Sequence, residues 1–149
     1  MHQPQSISLR AASGSDAPLF YALVEQTMRR YIVETWGSWN EERFRQLSVE
    51  VSSSSSGKVI LVGNAEAGVL HVDRLSTHFQ VHQLYLRPEF QGQGIGKYVV
   101  NSLIGEASTL GLPIRLRVLL VNPVAEFYEK LGFAITKSNS ECHYMERVL

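Results

Sequence analysis

Residues 91–96 read Gln-Gly-Gln-Gly-Ile-Gly, and this stretch constrains the fold more than any other. It follows 81–87, which reads as a β-strand, and a turn at Pro88, Glu89 and Phe90. It leads into Ile95, Val99, Leu103, Ala107 and Leu110, whose spacing puts one apolar face on a helix. Glycines at alternating positions remove side chains where backbone must come close to something. The first N–H groups of a helix have no partner within it, and the positive end of the helix dipole lies behind them. The main chain from Gln91 to Lys97 therefore reads as an anion cradle, suited to a phosphate or pyrophosphate.

Two common phosphate motifs do not fit. A nucleotide P-loop requires Gly, four residues, then Gly-Lys-Ser/Thr. Gly96 and Lys97 are present, but the first position falls on Gln91 and the last on Tyr98, which leaves no small hydroxyl for magnesium. A dinucleotide fingerprint requires G-x-G-x-x-G. Counting from Gly92 puts the third glycine position on Lys97, and counting from Gly94 puts it on Val99.

The 149 residues suit one domain, with 44% hydrophobic and 19% charged residues. Fourteen basic and fourteen acidic residues cancel, which argues against a nucleic-acid partner. No apolar run approaches the ~20 residues of a bilayer span, so no membrane partner is expected. Residues 1–10 lack a signal-peptide core, and a cytoplasmic location is the default expectation. The single Cys142 excludes an internal disulfide and a cysteine-rich metal site, and no metal is expected.

Along the chain, 7–10 reads as a first strand. Ser13 to Asp16 forms a turn and cap, and Pro18 suits the first turn of a helix carrying Leu19, Phe20, Leu23, Val24, Met28, Tyr31 and Ile32. Residues 35–39 break that pattern, and Asn40 caps a second helix at 41–51. The serine run 52–56 is expected to be a mobile loop rather than a domain linker. Strands at 58–62 and 68–74 form a hairpin, and another strand ends at Arg87. After the glycine-led helix, Gly111 provides a C-cap, 114–121 a strand and 123–131 a helix stopped by Gly132. Strands at 133–137 and 143–148 close the chain.

A second block accompanies the glycine loop. It reads Asn122-Pro-Val-Ala125-Glu-Phe-Tyr128-Glu-Lys-Leu-Gly132-Phe133. Together, the glycine loop after its strand and this Asn-x-x-Ala-x-x-Tyr-x-x-x-Gly-Phe segment resemble the GNAT superfamily of N-acetyltransferases over about the second half of the chain. The resemblance implies one GNAT domain over 1–149. It implies an α/β fold of mixed α+β type, whose central mixed, mostly antiparallel sheet is flanked by helices. It also implies acetyl-CoA as cofactor and an amine acceptor, a small molecule or a peptide. Many family members pair as homodimers, and the residues themselves leave the oligomeric state open.

The resemblance assigns roles as well. Gln91, Gly92, Gln93, Gly94, Ile95, Gly96 and Lys97 would hold the CoA pyrophosphate. Leu84, Tyr85 and Leu86 fall where the preceding strand splays from its parallel neighbour and addresses the pantetheine arm. There a backbone N–H can polarise the thioester carbonyl. Asn122 would bond the pantetheine or the adjacent backbone. Tyr128 would protonate the departing thiolate, although it also reads as a core aromatic with its hydroxyl at the rim. Many members carry a glutamate base on the strand before the loop, yet no Asp or Glu lies between His78 and Arg87. His82 is the candidate base, because histidine is the side chain that exchanges protons most readily near neutral pH. A water chain or an amine that arrives deprotonated would serve instead. Tyr31, Glu34, Trp36 and Trp39 stand at the junction of the first two helices, which flanks the acceptor groove in the family. There Glu34 can attract an ammonium beside aromatic rings, or the group can simply pack helix on helix. His143 beside Cys142 does not make a dyad, because strand neighbours point to opposite faces. Direct transfer without an acyl-enzyme is the leading expectation. A non-catalytic acyl-CoA-binding module and a longer-chain acyltransferase are the alternatives.

Overall fold

The computed structural model describes residues 6–148, so part of the 1–10 stretch, read above for a signal peptide, lies outside the described residues. The elements in order are β1 (Ile7–Ala11), α1 (Ala17–Trp36), α2 (Glu41–Ser52), β2 (Gly57–Val62), β3 (Ala65–Arg74) and β4 (Phe79–Leu86). They continue with α3 (Ile95–Leu110), β5 (Ile114–Leu119), α4 (Ala125–Glu129), β6 (Ala134–Ser138) and β7 (Cys142–Arg147). One seven-stranded sheet runs β1-β2-β3-β4-β5-β7-β6. Only β4 and β5 are parallel; every other pairing is antiparallel. The mixed, mostly antiparallel sheet with flanking helices expected from the sequence is the one observed.

Both sheet faces are covered, so neighbouring strand residues enter different cores. Val59 and Val69 pack with Phe20 and Leu23 of α1 and Val51 of α2. Ile60 and Leu70, one residue on in each strand, pack with Ile95, Val99 and Leu103 of α3 and with Tyr128 of α4. A third cluster joins Ile32, Leu119 and Cys142 where the end of α1 meets β5 and β7.

Several expected boundaries move, each for a local reason. The break expected at 35–39 begins two residues later: Thr35 Oγ1 donates to Tyr31 O at 2.8 Å within α1, and the helix stops at Gly37, whose φ is 89°. The serine run is a tight turn. Ser52 is a fully buried residue of α2, and the Ser54 amide and hydroxyl both donate to Val51 O, at 3.1 and 2.8 Å. These bonds use a carbonyl that the end of a helix leaves without a partner. α4 is shorter than the 123–131 expected. Pro123 and Val124 form its lead-in turn, and the Phe133 amide closes its end on Tyr128 O at 3.1 Å.

Candidate active site

β4 and β5 pair only through Phe79 with Ile114 and Gln80 with Arg115. Beyond that point β5 stays with β7 and β4 stays with β3, so a gap opens between two parallel strands. The register shows what lines it. The Arg87 amide donates to Ala67 O at 2.8 Å, beside the pair Gly68–Leu86. In an antiparallel ladder this pattern makes Gly68–Leu86 a pair that does not exchange its own hydrogen bonds. The N–H and C=O of Leu86 therefore turn away from β3 into the gap, and those of Leu84, two residues back, follow. Tyr85, between them, turns its main chain to β3 and its ring to the α1 side.

Gly68 lets β4 lie where it does. A β-carbon there would stand 2.2 Å from Tyr85 O, so the position admits no side chain without moving β4.

The glycine loop sits at the mouth of the gap. Gly92 and Gly94 have φ of 73° and 81°, in the left-handed region that other residues enter at a cost. Gly94 caps α3, and the first helical bond runs from the Tyr98 amide to Gly94 O at 3.0 Å. The amides of Ile95, Gly96 and Lys97 are the unpaired start of α3. Gln91 differs from the expectation for the cradle, since its amide donates to Pro88 O at 3.2 Å. Its side chain donates to Leu86 O at 3.0 Å, and that of Gln93 to Glu89 O at 2.7 Å. Both glutamines thus brace the loop against the chain before it. A β-carbon at Gly92 or Gly94 would meet nothing within 4 Å, so the loop surface is open there. Gly96 differs: its β-carbon would meet the Phe127 ring at 3.4 Å, an ordinary packing contact in the first turn of α3.

Asn122 makes the turn that launches α4. Its Oδ1 accepts from the Val124 amide at 3.1 Å, and its Nδ2 contacts Met28 Sδ at 3.7 Å. The adjacent-backbone role is therefore filled. Tyr128 is buried, edge-on to Phe127 at 5.0 Å and to Phe133 at 5.4 Å. Burial pushes its hydroxyl pKa well above the ordinary value, and the neighbouring Tyr85 adds to this. Tyr85 itself is pushed up to about 12 by burial. Both keep their protons at neutral pH. Among the described residues the Tyr128 hydroxyl has no protein partner, yet it is not sealed off. The only side-chain polar atom there both sealed and unpaired is Gln83 Oε1.

His82 stands at the base of the gap because of a β-bulge. Val72 pairs with Val81 and His71 with Gln83, so His82 is the extra residue. The bulge keeps Val81 in the core and leaves His82 exposed. His82 Nε2 lies 2.8 Å from Asp73 Oδ2. That contact is the main cause holding the Asp73 carboxyl below its ordinary pKa. The ring of His71 lies 4.6 Å from that of His82, and burial is the main cause lowering its pKa, with His82 next. Sequence reading named His82 and missed Asp73. The pairing register was its only signal, and the bulge hides that register.

The four acceptor-side candidates do not converge. Trp39 stacks on Phe44 at 4.2 Å and donates to the Tyr21 hydroxyl at 3.2 Å, which serves helix packing. Tyr31 packs in the third cluster, and its hydroxyl accepts from Arg30 at 2.7 Å. Glu34 is exposed and makes no ion pair among the described residues. Trp36 is 52% exposed and donates to Glu141 in the β6–β7 turn. A groove of about 390 Å³ lies instead on the sheet itself, beside the gap, lined by Gln80, Arg115, Arg117, Lys137 and Tyr144 among others. Arg115 is neutralised by Glu146 at 2.7 Å, while Arg117 has no acidic partner among the described residues.

The comparisons agree with this architecture. An acetyltransferase from Thermus thermophilus superposes with a TM-score of 0.77 at 17% identity, covering 99% of this chain and 100% of its own. The PaiA N-acetyltransferase of Thermoplasma acidophilum, solved with coenzyme A, gives 0.74 at 21% identity, covering 97% and 99%. Arabidopsis thaliana Naa50, solved with the bisubstrate analogue CoA-Ac-MVNAL, gives 0.67 at 17% identity, also covering 97% and 99%. At these identities the likeness is one of fold. No curated protein sequence matches the chain. The model of the acetyltransferase (GNAT) domain matches residues 54–135, more than half of the chain, and takes in both the glycine loop and the Asn122–Phe133 block. The protein therefore belongs to the GNAT acetyltransferase family.

Proposed function

We propose that the protein is an acetyl-CoA-dependent N-acetyltransferase that passes the acetyl group directly to a primary amine. The observation that carries this reading is the open edge of β4, where the main chain of Leu84 and the N–H of Leu86 turn from β3 into the gap beside the amide cradle of the glycine loop. Coenzyme A fits this arrangement: a strand-like amide arm suits the free strand edge, and a pyrophosphate suits the helix start. When bound, acetyl-CoA supplies an activated acetyl thioester.

The chain's own residues do the rest. Gly92 and Gly94 hold the loop open, and the amides at the start of α3 bind the anion. A strand-edge N–H, fixed in place before reaction, stabilises negative charge on the acyl oxygen. Tyr128 retains its proton and donates to the sulfur as it leaves. His82, held by Asp73, takes the proton from the amine. Asp73 orients the imidazole and does not itself transfer a proton. The acceptor enters along the sheet groove that Gln80 shares with Arg117 and Lys137, so an amine with an acidic group further along its length is favoured.

The test is thiol release from acetyl-CoA against a library of small amines and peptides, with acidic acceptors turned over faster than basic ones. Calorimetry with coenzyme A runs alongside. Affinity without thiol release for any amine identifies a binding module. Absence of binding at millimolar coenzyme A ends the reading altogether.

A further inference from the structure

Three strong donors converge beside the gap, and the transfer chemistry uses them only in part. His71 and Asp73 sit two residues apart on β3, so both leave the same sheet face. An unbroken alternation would put Val81 on that face and turn His82 into the core. The bulge reverses this and sets His82 over the β3 pair. One nitrogen of each histidine and one Asp73 oxygen all lie within 4.8 Å of one another. His71 Nε2 is 3.9 Å from Asp73 Oδ1, and His82 Nε2 is 2.8 Å from Asp73 Oδ2.

We propose that His71, Asp73 and His82 form a binding site for a divalent transition cation of the Zn²⁺ class, with water completing the shell. Two imidazoles and one carboxylate suit Zn²⁺ and its neighbours, whereas Mg²⁺ and Ca²⁺ prefer all-oxygen sets. Three protein ligands with an open fourth position form an ordinary zinc arrangement, with ligand distances of about 2.0–2.2 Å. Ligand atoms that share one tetrahedral ion stand about 3.4 Å apart, so the three side chains would draw together from within 4.8 Å. The Asp73 and His82 side chains are 43% and 41% exposed, while His71, at 17%, is the more buried member.

Occupancy would take the His82 lone pair, so the cation inhibits acetyl transfer. This clause alone rests on His82 acting as the base.

The experiment titrates chelator-treated full-length protein with Co²⁺, following visible absorption and heat. One equivalent is expected to bind. His71→Ala and Asp73→Asn should each weaken binding by at least about tenfold, while His78→Ala and His143→Ala leave it unchanged. Coenzyme A calorimetry on each variant confirms that it is folded. No binding at millimolar Co²⁺, or parental affinity in His71→Ala, overturns the site. In thiol-release assays Zn²⁺ should inhibit the parent, and His71→Ala should retain basal activity yet escape inhibition. Co²⁺ binding at these residues without inhibition by Zn²⁺ supports the site and removes His82 as the base.

Discussion

Tyr128 carries the sharpest prediction at the scale of one residue. Its ring is held by Phe127 and Phe133, so Tyr128→Phe keeps the packing and removes only the hydroxyl. The expected result is a fall in kcat of roughly 10²-fold with little change in KM for acetyl-CoA, measured by steady-state thiol release. An unchanged kcat would return Tyr128 to the core. Asp16 offers a pH test on the same scale. Arg10 donates to both of its carboxylate oxygens, each at 2.9 Å, and this is the main cause holding its pKa below the ordinary 3.8. A depressed carboxyl contributes stability at pH values above its unfolded pKa and loses it as pH falls through the folded one. The parent should therefore lose stability below about pH 4 more steeply than Asp16→Asn, by on the order of 1 kcal/mol after solvent screening of the exposed Arg10. Thermal melts between pH 7 and pH 2 measure it, and parallel curves refute it.

At the scale of elements, the glycine loop and the β3–β4 hairpin behave differently under the same substitution. Gly94→Ala forces a left-handed φ of 81° on a residue with a β-carbon and points a methyl at the open loop surface. The cost is about 1–2 kcal/mol in strain, and the Kd for coenzyme A, read by calorimetry, should rise by about tenfold or more. Gly96→Ala meets the Phe127 ring only at ordinary contact distance and lies inside α3, so its melting temperature should hold or rise while affinity changes less. Gly68→Ala drives a methyl against the Tyr85 carbonyl, so β4 must shift; both thermal stability and coenzyme A affinity should drop, and retention of both would show that β4 has room to give. The sequence made Gly94 legible because a glycine that opens a helix acts locally. It hid the reason for Gly68, whose neighbour is β4. It placed His82 on the right strand but could not place Asp73 beside it, since that contact depends on one unpaired residue. Trp36 and Trp39, close in sequence, part company because Gly37 ends α1 between them and the chain turns.

At the scale of the whole molecule, the succession of strands and helices along the chain was readable from apolar patterns and turn residues, and the mixed sheet followed from the family resemblance. The degree to which the sheet comes apart was not. Among the described residues, Phe79 with Ile114 and Gln80 with Arg115 are the only strand pairs between β1-β2-β3-β4 and β5-β7-β6. Mechanically the protein resembles two leaves joined at a short hinge of main-chain bonds, with helices α3 and α4 backing the seam. A ligand that laces both leaves through the gap would act as a missing rung. Saturation at a hundred times Kd is worth about 2.7 kcal/mol to the folded state. It should also slow deuterium uptake at Leu84 and Leu86 far more than at Val59 or Val69, which lie buried in β2 and β3 of the same leaf.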